Sequence, residues 1–404
     1  MTSAKTRLRV SQAPRWWSCR PKLRCLRSLM LWTAGGFVLV ASLAPLHAQD
    51  SQLTHAAQLM QAGDYAGAEQ VWRQLAKSHP TNAVVHANLG VVLAQQNKLP
   101  AAVAEYRRSL QLKPYQPEVQ SNLGIAEFKQ GHFENAISVL KQVARQNPGD
   151  QRSAILIGMS YYGLRQYQRA AEFLRPAVQR DPSNLELKNV LAQSCLWSRQ
   201  YDCAMAQFKD MLAINPESAQ AHMLMAEALD GMGKTDEAIE ELAETARTSP
   251  QEPVLHFELG YLYYKQGEYD KASPELKAEV ANNPGYAQAY LYLGDIALHN
   301  NDNEVAQQYL NKTLELQPAS RLAHFDIGCV YMNQGKNQEA IEAFRRAIEL
   351  DPSQPDAHYR LARVYSAVGQ KQKAAEELTK TKQLHQKTDD SLIEKISGGS
   401  ARQQ

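Results

Sequence analysis

Nine prolines, Pro80, Pro114, Pro148, Pro182, Pro216, Pro250, Pro284, Pro318 and Pro352, follow one another at a constant interval of 34 residues. No other feature restricts the folding of this chain as strongly. Proline lacks the backbone N–H and disfavours a helical residue before it, so each of the nine ends a helix at the same register. With proline at position 32 of a 34-residue unit, the units begin at 49, 83, 117, 151, 185, 219, 253, 287, 321 and 355. The remaining punctuation falls into the same frame. Position 20 is alanine in every unit, from Ala68 to Ala374, and position 8 is either glycine (Gly90, Gly124, Gly158, Gly260, Gly294, Gly328) or alanine (Ala56, Ala192, Ala226, Ala362). Small residues at these two positions let a pair of helices approach closely, while Leu89, Leu123, Leu259 and Leu293 fill the space alongside. Gly63, Gly131, Gly233, Gly267, Gly335 and Gly369 at position 15 mark the turn between the two helices. Each unit is therefore a helical hairpin. None can bury its apolar face alone, so the hairpins must stack.

Over residues 49–388 this pattern resembles the tetratricopeptide repeat family. The family's aromatics stand at position 11 as Tyr161, Tyr263, Tyr331 and Tyr365, and at position 24 as Trp72, Tyr106, Phe208 and Phe344. The resemblance implies an all-α fold, a right-handed α-α superhelical solenoid of about ten hairpins. Several positions depart from the pattern. Glu127 and Ala297 replace a large residue at position 11, Pro176 and Pro274 fall inside second helices and predict local kinks, and His55 predicts a frayed first hairpin. The polar stretch 371–390 suits a terminal helix with one wet face. Residues 389–404 read as a polar tail, loose from about 397 where Gly398-Gly399-Ser400 stands.

The net charge of +2 hides a division of charge within the chain. Residues 1–48 hold eight Lys or Arg and no Asp or Glu, which leaves 36 bases against 42 acids beyond them. A mildly acidic body argues against nucleic-acid binding, which needs a clustered basic face. The basic start, followed by an apolar run from Leu29 to about Leu46, has the layout of an export signal. Two outcomes are open: a signal peptide cleaved after Ala48, giving a periplasmic or secreted protein, or an uncleaved N-terminal membrane anchor, since the run is close to the shortest that spans a bilayer.

Two motifs with apparent chemistry dissolve into the repeat. Gly233-Lys234-Thr235 satisfies a loose phosphate-loop pattern, but Gly233 is a hairpin turn with no strand before it, so no nucleotide is expected. His86, His222, His256, His324 and His358 all occupy position 4, one per unit, and ligands in successive units cannot converge on one metal. No metal, cofactor or small-molecule substrate is expected, and no nucleophile, base and oxyanion donors can be assembled into an enzyme. Cys195 and Cys203 sit on either side of one inner turn. A disulfide is feasible there in an exported protein, with two buried thiols as the alternative. Cys329 is left as a free thiol facing the groove.

The resemblance also implies where a partner binds: the concave groove lined by the first helices, faced by positions 2, 5, 9, 12 and 13. Transferred residue by residue, these positions give Phe128, Tyr162, Trp197, Phe257, Tyr261, Tyr264, Phe325, Tyr359 and Arg363 among the candidates. Asn88 and Asn122 keep the asparagine of the family's carboxylate clamp at position 6, but Ala87 and Ser121 replace its lysine, which excludes that clamp. Aromatics with scattered charge suit an extended peptide or a partner helix, centred on Phe257, Tyr261 and Tyr264. The expected function is a non-catalytic protein-binding scaffold of the cell envelope or secreted space. The alternative is a structural spacer or assembly factor using its convex face or ends.

Overall fold

The computed structural model describes residues 49–398, and the side chains of 51–387. The leader assigned to residues 1–48 lies outside the described residues. Twenty helices and no strand occur among the described residues, and they divide into two compact units that meet in sequence between Pro216 and Glu217.

The first unit holds α1 (Gln49–Gln61), α2 (Tyr65–Ser78), α3 (Ala83–Gln95), α4 (Leu99–Leu112), α5 (Pro117–Lys129), α6 (Phe133–Gln146), α7 (Gln151–Gly163), α8 (Tyr167–Arg180), α9 (Leu185–Trp197) and α10 (Tyr201–Ile214). The second holds α11 (Ala219–Gly231), α12 (Thr235–Thr248), α13 (Leu255–Gln266), α14 (Tyr269–Asn282), α15 (Ala287–His299), α16 (Asn303–Leu316), α17 (Arg321–Asn333), α18 (Asn337–Leu350), α19 (Pro355–Ala367) and α20 (Lys371–Gly398). The ten hairpins keep the register set by the prolines, with two exceptions. Helix α13 starts two residues late, and α20 continues to Gly398, so residues 389–398 extend the last helix.

The small residues act as their spacing implies. A Cβ added to Gly90 would stand 2.6 Å from the ring of Tyr106, so a side chain there would force that ring or the helix pair to shift. Ala68, Ala102, Ala136 and the other position-20 alanines of both units are buried in the same seam. The inner turn requires a left-handed residue throughout. Six of the ten turns use glycine; the others force Asn97, Arg165, Arg199 and Asn301 to φ values of 58 to 62°, which costs a non-glycine residue roughly 1–2 kcal/mol. Helices α8 and α14 run unbroken through Pro176 and Pro274. In the first hairpin Ala56 and Met60 are buried, and the Trp72 indole N–H donates to Met60 Sδ at 3.2 Å.

The position-4 histidines are structural. His86 and His256 place Nδ1 at 2.6 and 2.7 Å from Glu105 and Glu275, and their Nε2–H groups donate to the carbonyls of Pro80 and Pro250 at 3.1 and 3.0 Å. His222 and His358 pair in the same way with Glu241 and Glu377. Each pair joins the first helix of a hairpin to its own second helix, 19 residues on. His324 has Ala343 at that spacing and keeps only the bond to the Pro318 carbonyl.

Candidate functional site

Within each unit the first helices of successive hairpins touch one another, as α5 touches α7 and α15 touches α17, whereas second helices meet one another at most marginally. The first helices therefore lie closer together and line the inner face of each unit.

In the first unit this face is largely neutral and packed. Asn88 is half-buried and donates to the Val84 carbonyl of its own helix at 3.0 Å; Asn122 is half-buried. Phe128 is buried with its ring 5.7 Å from Phe133. Tyr162 is buried, donates its hydroxyl to Gln193 and stacks at 5.8 Å on Trp197, which also meets Tyr167 at 4.9 Å. The Trp197 indole N–H is buried without an acceptor. Beside it an open depression of about 580 Å³ is lined by Arg165, Gln166, Tyr167, Gln168, Arg169, Trp197 and Ser198, with no carboxylate in its wall. Cys195 and Cys203 are joined by a disulfide across the adjacent turn, their Cα atoms 5.8 Å apart.

The second unit corrects the aromatic centre expected from the spacing. Phe257 is completely buried and Tyr261 is 8% exposed. Their rings lie 4.9 to 6.2 Å from each other and from Tyr286 and Tyr292, which makes them packing between hairpins and removes them as contact surface. Tyr264 is half-buried against Tyr269 and Tyr292, and its hydroxyl donates to Asp295. Cys329 is likewise buried. Phe325 is half-buried, 5.8 Å from Phe344, with the Arg321 guanidinium over its ring. Of the candidate aromatics, Tyr359 is exposed, at 46%, and Arg363 beside it is exposed too.

Carboxylates share this face: Glu227, Asp230 and Asp295 stand at positions that the sequence already turns toward the groove, whereas Glu258 and Asp326, at position 6, were not read as groove residues. At positions 2, 6, 9 and 12 the second unit carries Glu227, Asp230, Glu258, Asp295, Asp326 and Asp356, against Lys265, Arg360 and Arg363 among its inner bases. Asp230 accepts from Lys265 at 2.6 Å, and Asp356 accepts both arms of Arg321 at 2.9 Å. Burial raises the Asp295 carboxyl, opposed by the Tyr264 hydroxyl and by His299. Burial, reinforced by the charge of Glu279, pushes Glu258 up to about 8. Asp326 is 8% exposed, forms neither hydrogen bond nor ion pair among the described residues, and is raised well above the usual range by burial and by the charge of Asp295, with Arg321 opposing. The alternation of acids at positions 6 and 9 in neighbouring units was the available signal. Among the described residues no group of three or more His, Cys, Asp or Glu side chains is placed to hold a metal ion, and no helix is long and apolar enough to cross a membrane.

Stacked hairpins whose first helices line an inner face within each unit define the class: a helical-repeat scaffold for protein–protein interaction. Tetratricopeptide repeat models match residues 53–117, 121–184 and 257–321, others match 161–228, 198–256 and 229–278, and a TPR repeat model matches 328–369. The chain belongs to the tetratricopeptide repeat family. No curated protein matches it. Similar solved structures include MamA (residue 41 to the end) from Desulfovibrio magneticus RS-1, with 23% identity over 42% of this chain and 97% of that one and a TM-score of 0.40. YrrB, described as a TPR protein with an unusual peptide-binding site, has 21% identity over 47% of this chain and 97% of that one, at 0.40. A tetratricopeptide repeat protein from Parabacteroides merdae has 17% identity over 70% of this chain and 98% of that one, at 0.38.

Proposed function

We propose that the protein is a non-catalytic scaffold that holds an extended peptide or a partner helix along its inner face, chiefly at hairpins eight to ten, after export directed by residues 1–48. The observation that carries this reading is the exposed patch of Tyr359 and Arg363 beside the Arg321–Asp356 fork. An exposed aromatic next to fixed, oriented charge is the kind of surface that anchors a partner. Export is supported by the basic, acid-free leader with its apolar run, and the bridged Cys195 and Cys203 suit an oxidising compartment.

A photo-crosslinking residue placed at Tyr359 tests the inner face, with one at the exposed Arg346 on the second helix of the neighbouring hairpin as control. Crosslinking in the native host is expected to yield a defined adduct from Tyr359 and none from Arg346. Adducts from Arg346 alone would favour the spacer using its outer face. N-terminal sequencing of the protein recovered from the host is expected to begin at Gln49; a chain beginning at Met1 in the membrane fraction would favour the anchor.

A further inference from the structure

A buried carboxylate without a partner is expensive, because taking the charge out of water is offset by nothing. Asp326 comes close to this position: its side chain keeps only a narrow opening to solvent, with no hydrogen bond or ion pair among the described residues. It stands at position 6 of α17, nine-tenths buried, with Asp295 of α15 on one side and Asp356 of α19 on the other. The base whose charge acts on it, Arg321, is already committed: its two guanidinium arms donate to the two oxygens of Asp356, both at 2.9 Å. Asp295 offers no relief either, being a second acid whose own hydrogen bond comes from Tyr264. Asp295 and Asp356 each have a donor within the fold, whereas Asp326, like Glu258 two hairpins earlier, has none among the described residues. The same position is filled by apolar Leu156, Val190 and Leu224 in hairpins four to six and by polar or charged residues such as Asn88, Glu258 and Arg360 elsewhere, so packing alone does not call for an acid there.

We propose that Asp326, with Asp295 beside it, is the receptor for one cationic side chain, an arginine guanidinium or a lysine ammonium, carried by a basic segment of a partner polypeptide lying along the inner face of the second unit. The proposal rests on the inner-face reading given above and adds the partner's chemistry to it. A bound guanidinium supplies the missing hydrogen bonds and the opposite charge together. It also meets aromatic rings at the same place: Tyr292 senses the charge of both Asp295 and Asp326 and packs against Tyr261 with ring centres 5.4 Å apart. Such rings favour a cation close by. The absence of a metal-holding cluster among the described residues leaves an organic cation as the fitting occupant.

The probe is an octapeptide of alternating arginine and alanine, with the glutamine-for-arginine peptide as its neutral control, titrated against residues 49–404 at low ionic strength. The wild-type protein is expected to bind the arginine peptide at least tenfold more tightly than the glutamine peptide. Asp326→Asn is expected to remove about tenfold of that affinity, roughly 1.4 kcal/mol, and Asp295→Asn a smaller share. Helicity and melting temperature check the fold of each variant, and Asp326→Asn should melt no lower than wild type because it removes an unanswered charge. Glu339→Gln, an exposed acid at the start of α18, should leave the affinity unchanged. Equal binding by wild type and Asp326→Asn would overturn the proposal, as would an equal loss in Glu339→Gln, which would reduce the effect to general charge attraction. If Tyr359 crosslinks a partner in the host while Asp326→Asn leaves peptide binding unchanged, the receptor falls and the inner-face reading stands. If the Tyr359 crosslink is absent but the arginine peptide binds through Asp326, the receptor stands and the anchoring patch at Tyr359 and Arg363 falls.

Discussion

Each unit buries a carboxylate among its first helices, and the two are treated in opposite ways. In the first unit Glu127 takes the place of a large apolar residue and is 1% exposed, but Arg107 donates to it at 2.5 Å and His132 stands at 2.9 Å. In the second unit Asp326 is almost as buried and has no such partner. Glu127 breaks the apolar pattern of position 11, whereas Asp326 stands at position 6, which several units fill with a polar residue. Glu127 has been absorbed into the architecture by two bases from the adjoining second helix and turn, whereas Asp326 is left with a demand that the fold does not meet. A buried charge therefore indicates function only after its partners have been counted.

The sharpest break of this contrast is to remove the partners in the first unit. Arg107→Ala with His132→Ala strands Glu127 and is expected to cost about 3 kcal/mol, while Asp326→Asn is expected to be neutral or to stabilise by about 1 kcal/mol. Beyond residue 48 the two tryptophans, Trp72 and Trp197, both lie in the first unit, so denaturant titration followed by tryptophan fluorescence reports that unit alone in residues 49–404, and circular dichroism reports both. A destabilisation by Asp326→Asn as large as that of the double variant would erase the contrast. Next in size, reduction of Cys195–Cys203 is expected to lower the fluorescence-detected stability by up to about 2 kcal/mol. Two thiols alkylated in the unfolded, unreduced protein would show that the bridge does not form.

A smaller effect separates the strained backbones. Val254 is a β-branched residue at a φ of 73°, and its N–H donates to the buried Glu279 at 3.2 Å. Val254→Gly should stabilise the second unit by about 1 kcal/mol, and Arg165→Gly the first by about 0.5 kcal/mol. The order of the two, read from dichroism and fluorescence midpoints, tests whether branching at Cβ sets the strain.

The subtlest prediction concerns pH. Glu258 is raised from its ordinary 4.5 to about 8, with Glu279 as the charged group facing it, so its contribution to stability is complete below pH 4.5 and is lost as the pH rises through 8. Glu279, Asp295 and Asp326 are displaced in the same direction. The shifted glutamate of the first unit, Glu69, is lowered to about 2 by Lys98, against burial, with help from Arg73 and Gln96. Its contribution is present above pH 4.5 and is lost only as the pH falls through 2. Acidification from pH 8 to 5 should therefore raise the dichroism midpoint and leave the fluorescence midpoint nearly still; a parallel movement of both would contradict the assignment.

The hairpins were legible in the sequence because proline, glycine and alanine act through the backbone and through closest approach, which depend little on neighbours. The left-handed turns filled by Arg165 and Arg199 were found by register even though the residue type argues against them. The inner face was harder to read. Whether Phe257 is contact surface or core depends on what the next hairpin presents, and here Tyr286 and Tyr292 cover it. The His–Glu pairs needed a spacing of 19 residues between helices. The isolation of Asp326 needed the knowledge that Arg321 is turned toward Asp356, which no pattern along the chain reveals.

Burial, helped by the charge of Asp326, pushes the Cys329 thiol up to about 12, with Arg360 opposing. It is the free cysteine of the described residues. In the closed hairpin it is both shielded and almost wholly protonated, so an alkylating reagent must wait for the helices to part. The rate of its labelling thus becomes a clock for the opening of hairpin nine, started without mutation and read by mass. A basic peptide seated beside it should slow that clock.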